Sequence, residues 1–470
     1  MSSVRAGRAG RASRLGAAFR RGPLEVRDFR LFSIGQLTST AGDFCYAVAL
    51  PWMVLSAHGG TVLLGTVLAC YGVPRTVLIP VGGSLTDRLS PRTVMLAADS
   101  VRCVLVAVLA LFAARGLVSI AFLGPVAALI GAGEGIFLPA SAAIMPSLLP
   151  AGDLQAGNGL SSAAIQVGSL AGPVLGGILV TVTGGSATAF AVDAATFAAS
   201  ATALAFMRGT RQAATAATGT APATGPADTE PAARPAAGPT GDTPAESASV
   251  WRLLRTAREL QTVLVIAVLA NFVIAGAFEV ALPTLAHSRF AASGYGAMIA
   301  SFGLGSLLGT LIAAKQNSLR YPAVATCAAF AFAGVALALI PFLGGLPGAA
   351  AAAAVFGGAG YFGNVVIVTL LQQWAPPHLL GRVMSLVMLA AIGAFPVSVA
   401  LSGVIVGRIG PAPFFPVAGA VLALAVLVAA TQRQFRNFGA QRISAGADAG
   451  TGDGTVEGGE PGQAAVVEAR

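Results

Sequence analysis

Charge is what this sequence has least of. Asp, Glu, Lys and Arg together make up 10% of its 470 residues, against about 25% in soluble domains, a shortfall that excludes an ordinary water-soluble fold of this length. Lysine is almost missing, since Lys315 is the only one and every other basic side chain is arginine. Cysteine is sparse too: Cys45, Cys70, Cys103 and Cys327 all fall in apolar stretches, with neither the pairing of a disulfide scaffold nor metal-type spacing. They read as small buried hydrophobes. His58, His287 and His378 are scattered near span ends or in loops, so no metal centre is expected. No P-loop occurs, which argues against an ATP-driven pump, and no cofactor is expected. An enzyme is excluded on similar grounds, because no nucleophile, metal or paired-acid constellation is visible.

What fills the chain is apolar: 55% of residues belong to the hydrophobic set, and the mean hydropathy is +0.78. Apolar stretches of roughly 18 residues or more recur along it, each long enough to cross a hydrocarbon core of about 30 Å as a helix. A β-barrel needs short segments of alternating polarity, whereas 93–114 and 414–430 are largely apolar on every face. The fold class is therefore all-α and membrane-embedded. The net charge of +9 does not imply nucleic acid, because the arginines cluster in segments flanking the apolar runs, as membrane topology demands.

Twelve spans are expected, at 31–57, 62–84, 93–114, 118–142, 158–183, 186–207, 262–286, 294–314, 322–342, 347–371, 383–406 and 414–431. Residues 1–30 form a basic N-terminal segment carrying eight Arg. The apolar run after it is too long for a signal-peptide core, so retention as the first span is expected; an organellar transit peptide is the other reading of an Arg-rich, acid-poor start. Residues 31–207 form a first six-helix bundle and 261–431 a second. Between them, 208–260 is an Ala, Thr, Pro and Gly-rich linker read as disordered, ending in a short amphipathic stretch at 251–259 suited to an anionic lipid surface. The tail 432–470 is read as disordered. Arg115, Arg289 and Arg408 fall in loops on one side and Arg75 and Arg102 within spans, and every other basic residue lies on the opposite side. Both termini are thus expected in the cytoplasm, in a bacterial inner membrane.

The halves resemble each other at a constant offset: Gly83 answers to Gly309 and Leu154 to Leu380, while GDFCYAVALP at 42–51 is echoed by GAFEVALP at 276–283. Two parallel six-helix repeats facing a midplane cavity is a transporter arrangement, and a monomer is expected.

The loop after the second span, GGSLTDRLSPR at 82–92, resembles the G-x-x-x-D-R-x-x-x-R signature of the major facilitator superfamily through Gly83, Asp87, Arg88 and Arg92. GSLAGPVLGG at 168–177 resembles the fifth-helix pattern of its drug exporters and proton antiporters, through Gly168, Gly172, Pro173, Gly176 and Gly177. The opening FRLFSIGQLTSTAGDFCYAVALPWMVL and the stretch GAGEGIFLPASAAIMPSLLP are similar to the macrolide-efflux-like and enterobactin-exporter-like branch. The chain departs from the drug-antiporter pattern in having no Arg in its fourth span, and the loop after the eighth keeps Lys315 and Arg320 but no acid. The resemblance implies that Asp87 docks near Gly381 and Arg382 at the start of the eleventh span as a conformational latch braced by Arg88 and Arg92; simple obedience to the charge rule is the competing reading. For the fifth span the resemblance implies gating, against plain close packing of small residues.

Each ionisable group within hydrocarbon costs roughly 2.5–3.5 kcal/mol on insertion scales and so marks a candidate. Asp43, Glu134, Asp193 and Glu279 are acids in the first, fourth, sixth and seventh spans, and Arg75 lies in the second. Asp99 and Arg102, three residues apart, share a helix face and read as a buried ion pair. Glu134 and Asp43 are the leading proton-coupling or substrate-sensing acids, the alternative being that each only bonds a neighbouring hydroxyl or Arg75. Gln36, Gln166, Asn271 and Asn364 are candidate polar cavity groups, with Phe137, Phe272 and Phe278 as apolar walls.

The function expected is alternating-access, proton-driven efflux of a small amphipathic drug-like, antibiotic or siderophore-type molecule. An uptake permease or uncoupled facilitator is the alternative, and a non-transporting scaffold or sensor the more distant one. Reporter fusions within 209–251 should report a cytoplasmic location; an external location would refute the orientation.

Overall fold

The computed structural model describes residues 22–116, 119–208, 257–316, 321–375 and 379–436. Segment 1–21, linker residues 209–256 with most of the amphipathic stretch, Arg320, His378 and the tail from 437 lie outside the described residues. Every regular element among the described residues is helical, the natural outcome where lipid offers the backbone no hydrogen-bond partner.

The spans run Arg27–Ser56, Gly60–Val77 continued by Ile79–Arg88, Pro91–Ala114, Ile120–Ala143, Leu154–Thr183 and Ala187–Phe206 in the first half. The second half follows with Arg258–Ala275 continued through a π-helical turn, Gly276–Ala281, into Leu282–Arg289, then Ala292–Lys315, Pro322–Leu339, Gly345–Trp374, Leu380–Gly393 with Phe395–Ile409, and Pro411–Thr431. The breaks fall beside prolines: Pro74 and Pro80 around Leu78, and Pro396 after Ala394. A proline removes one N–H from the helix ladder and crowds the carbonyl a turn earlier. The seventh span starts at Arg258, earlier than the apolar run alone suggests.

Eleven of these helices are long and apolar enough to cross a membrane. The first falls short of that hydropathy, although it forms the helix expected at 31–57. Its 30 residues suffice in length, but Gln36, Thr38, Ser39, Thr40 and Asp43 interrupt its middle. The fifth and sixth spans pack along it, so protein rather than lipid faces much of its surface. Elsewhere large apolar side chains stand open, Val182 at 78% and Phe206 at 65% exposed, a surface suited to hydrocarbon rather than water.

Packing repeats between the halves. The second span lies on the fourth, the third on the fourth and sixth, and the first on the fifth; the eighth on the tenth, the ninth on the tenth and twelfth, and the seventh on the eleventh repeat that set. The halves meet where the second span crosses the eleventh and the fifth crosses the eighth. Glycine makes both crossings possible. A Cβ on Gly65 would stand 2.5 Å from the Val399 carbonyl oxygen, and one on Gly296 2.2 Å from that of Pro173. Thr61 Oγ1 donates to the Gly403 carbonyl at 2.9 Å, and the Ser293 amide donates to Thr181 Oγ1 at 2.9 Å. These contacts lie at the end away from the termini. At the terminus end, a Cβ on Gly83 or Gly381 would meet nothing within 4 Å. Among the described residues the halves pack together at the far end and are parted at the other.

Gly296→Val should therefore strain the closed end by about 1–3 kcal/mol and shift the population toward the opposite opening. Spin labels at positions 58 and 291, with the native cysteines replaced by alanine, should move apart; an unchanged distance distribution would contradict the crossing as described.

Candidate functional site

Tyr71 and Arg75 sit one turn apart on the face of the second span that crosses the fourth, where the sequence reads Gly131, Ala132, Gly133, Glu134, Gly135. The glycines are forced by the approach. A Cβ on Gly131 would lie 2.0 Å from the Tyr71 carbonyl oxygen, one on Gly135 2.4 Å from that of Arg75, and one on Gly133 3.0 Å from Arg102 Cγ. Glu134 thereby reaches both neighbours: its Oε1 lies 3.0 Å from Arg75 Nη2, and its Oε2 accepts a hydrogen bond from the Tyr71 hydroxyl.

A second knot surrounds Arg102. Its Nη2 lies 2.6 Å from Asp99 Oδ1 and its Nη1 3.6 Å from Asp43 Oδ1. Asp99 also accepts from Ser200 Oγ at 2.7 Å. Arg102 and Asp99 are 2% and 0% exposed, whereas Asp43 is 43% exposed and lines the cavity. The guanidinium stands 4.7 Å from the ring centre of Phe137 and 4.4 Å from that of Phe197, so π faces replace the water it has lost. Asp193 is buried, and Thr196 Oγ1 donates to its main-chain carbonyl at 2.7 Å.

These groups converge on one cavity of about 420 Å³ between the halves. Asp43, Glu134, Asp193, Glu279, Arg75 and Gln36 all line it, together with Arg102, Phe137, Tyr46 and Tyr71. Glu279 is the acid contributed by the second half. It sits on the π-helical turn, an irregularity frequent at functional sites, forms no ion pair with any described residue, and interacts electrostatically with Arg75. Gln36 Oε1 accepts from Ser161 Oγ at 3.2 Å.

Other candidates lie elsewhere. Asn271 and Asn364 line a separate cavity of about 270 Å³ inside the second half, walled by Phe302, Phe330, Phe356 and Tyr361. Gln166 lines neither cavity. Phe278 stacks on Phe356 and meets Phe302 at a tilt, and the Phe272 carbonyl accepts from the Ser398 hydroxyl. The fifth-span glycines divide their work. Gly168, Gly172 and Gly176 press on Thr40, Ala41 and Cys45 of the first span, while Gly177 and Pro173 meet the eighth span of the other half. Gly83, Asp87 and Arg88 stand at the parted end, and Asp87 is exposed and forms no ion pair with any described residue, so its expected docking near Gly381 and Arg382 is not seen in this arrangement. Arg92 instead donates from Nε and Nη2 to the Leu204 and Ala205 carbonyls, each at 2.7 Å, tying the third span to the sixth.

Tyr71, Tyr46 and Phe197 escaped sequence reasoning. Tyr71 had a signal, since it lies one turn before Arg75, and the glycines around Glu134 announce a close helix crossing. The other two meet the cavity through contacts that no local spacing encodes.

A polar cavity within lipid, between two pseudo-symmetric six-helix bundles closed at one end, defines a secondary transporter rather than an enzyme. The Major Facilitator Superfamily model matches residues 32–363, and the chain belongs to that superfamily. It is 27% identical over 396 residues to the multidrug efflux pump Tap of Mycolicibacterium fortuitum, covering 82% of this chain and 89% of that protein. The same pump of Mycobacterium tuberculosis is 29% identical over 167 residues, 34% of this chain and 39% of that protein. Among solved structures, the nucleoside transporter NupG superposes with a TM-score of 0.60 at 12% identity, over 86% of this chain and 98% of that one. A POT family transporter in complex with 5-aminolevulinic acid gives 0.63 at 13% identity, over 86% and 95%. Both share the fold.

Arg102→Met should cost about 3–5 kcal/mol, because it leaves Asp99 buried without its partner. Adding Asp99→Asn should restore a large part of that loss. Thermal unfolding of the purified variants in detergent measures both, and additive losses would show that the pair is not coupled.

Proposed function

We propose that this transporter is a proton-coupled efflux pump for a small amphipathic, drug-like substrate, resident in a bacterial inner membrane with both termini in the cytoplasm. The observation that carries the reading is the composition of the cavity, where four carboxylates face two guanidiniums within reach of the parted, terminus-bearing end. The surplus acid has no fixed counter-charge, so protons or a cationic group on the substrate supply it. Similarity to the Tap pumps supports export as the direction, and the crowding of arginine at the terminus end supports the orientation.

In this reading Arg75 is the coupling element. Glu134 holds it in the first half, its Nε is buried without a partner, and Glu279 faces it from the second half. A proton arriving on Glu134 releases the guanidinium to Glu279, so that protonation alters the attraction between the two bundles. When the terminus end closes, Asp87 is carried toward the start of the eleventh span near Gly381 and Arg382, with Arg92 holding the loop's base on the sixth span. Gly177, Pro173 and Gly296 then separate as the far end opens.

Substrate accumulation in an efflux-deficient host tests this. Cells carrying the intact protein should exclude substrate until an uncoupler collapses the proton gradient. Glu134→Gln and Asp43→Asn should each cut efflux roughly tenfold or more, the scale of a coupling free energy above 1 kcal/mol. Normal transport by both variants would overturn the assignment.

A further inference from the structure

A third cavity lies apart from the transport route. It is a cleft of about 650 Å³ between the start of the seventh span and the end of the twelfth. Two guanidiniums guard its mouth: Arg258 is the first residue of Arg258–Ala275, and Arg433 lies just past the end of Pro411–Thr431. Both therefore sit at the membrane interface on the terminus side. No carboxylate of a described residue lines the cleft, and neither arginine forms an ion pair with a described residue. The Thr262 hydroxyl lies 2.8 Å from the Arg258 carbonyl oxygen and 2.9 Å from Gln432 Oε1, sharing its one proton between them, and the Gln432 N–H groups remain as donors. Deeper in, the walls turn apolar. Val265, Ile266, Ala425 and Val428 form them, with Val265 and Val428 still 56% and 53% exposed, so the cleft opens sideways to hydrocarbon.

Cationic donors at headgroup level above an apolar groove facing acyl chains match one kind of ligand. We propose that the cleft binds an anionic phospholipid, its phosphate between Arg258 and Arg433 and one acyl chain along Val265 and Val428. Two guanidiniums with no described acid beside them repel each other on one cleft, and a phosphate removes that repulsion while accepting their hydrogen bonds. A zwitterionic lipid brings its own cation to the same place and gains less. The bound lipid would bridge the first helix of the second bundle to its last, independently of the substrate and coupling ion.

The test uses the full chain in phosphatidylcholine nanodiscs, with phosphatidylglycerol titrated in and lipid adducts counted by native mass spectrometry after release. Wild type should retain phosphatidylglycerol under conditions that strip phosphatidylcholine. Arg258→Gln with Arg433→Gln should weaken that retention roughly tenfold or more, whereas Arg27→Gln with Arg30→Gln, an equal charge loss on the same membrane face, should leave it unchanged. Arg433→Gln alone, at an exposed position beyond the helix end, should weaken it severalfold and decides the matter if the double variant aggregates. Equal retention of the two lipids by wild type, or undiminished phosphatidylglycerol binding by the Gln variants, would overturn the proposal. Complete displacement by millimolar inorganic phosphate would do so as well, since the groove would then have no part in binding.

Discussion

A charge in hydrocarbon persists only where another charge, a dipole or a π face stands against it. That requirement organises the first half of this molecule. Arg102 satisfies it with Asp99 at 2.6 Å, Asp43 at 3.6 Å and two phenylalanine rings, and Arg75 satisfies it with Glu134 at 3.0 Å. The helices that carry these groups must approach closely enough for the pairs to form, and small residues at the crossings permit it. Glu134 shows the link most directly, because the glycines on either side of it are what let Tyr71 and Arg75 come within reach.

Glycine serves two purposes that look alike in sequence. Gly131 and Gly135 seat neighbours within one half, where the second span lies on the fourth. Gly65, Gly177 and Gly296 sit at crossings between halves, where the contact has to form and break if the transporter is to change its opening. Side chains interlocked across such a surface would resist separation. Backbone against backbone presents a smooth face that closes tightly and also parts.

Much of this was legible beforehand. The apolar runs gave the spans, the constant offset between Gly83 and Gly309 gave the doubled bundle, and the cost of charge in lipid picked out the acids that do share a cavity. The spacing of Asp99 and Arg102 foretold their pairing, since three residues along a helix is a local matter. Contacts at long sequence separation were not foretold: Asp43 reaching Arg102 depends on how the first and third spans pack, and Asn271 and Asn364 proved to face a cavity of their own. The first helix also eluded a hydropathy criterion, because polar residues covered by protein read the same as polar residues facing water. Asp87 stands exposed with no ion pair to a described residue, a placement that depends on how the two halves sit and that no local spacing encodes.

The unequal sharing of charge has its own consequence. One bundle contains a nearly complete electrostatic circuit, while the other adds a single carboxylate on a widened turn and an aromatic chamber without ionised walls. The two halves are thereby unlike in what they offer a polar guest, ionised groups in one and amide and aromatic surface in the other. A substitution among the aromatic walls therefore reshapes the neutral chamber without touching an ionised group.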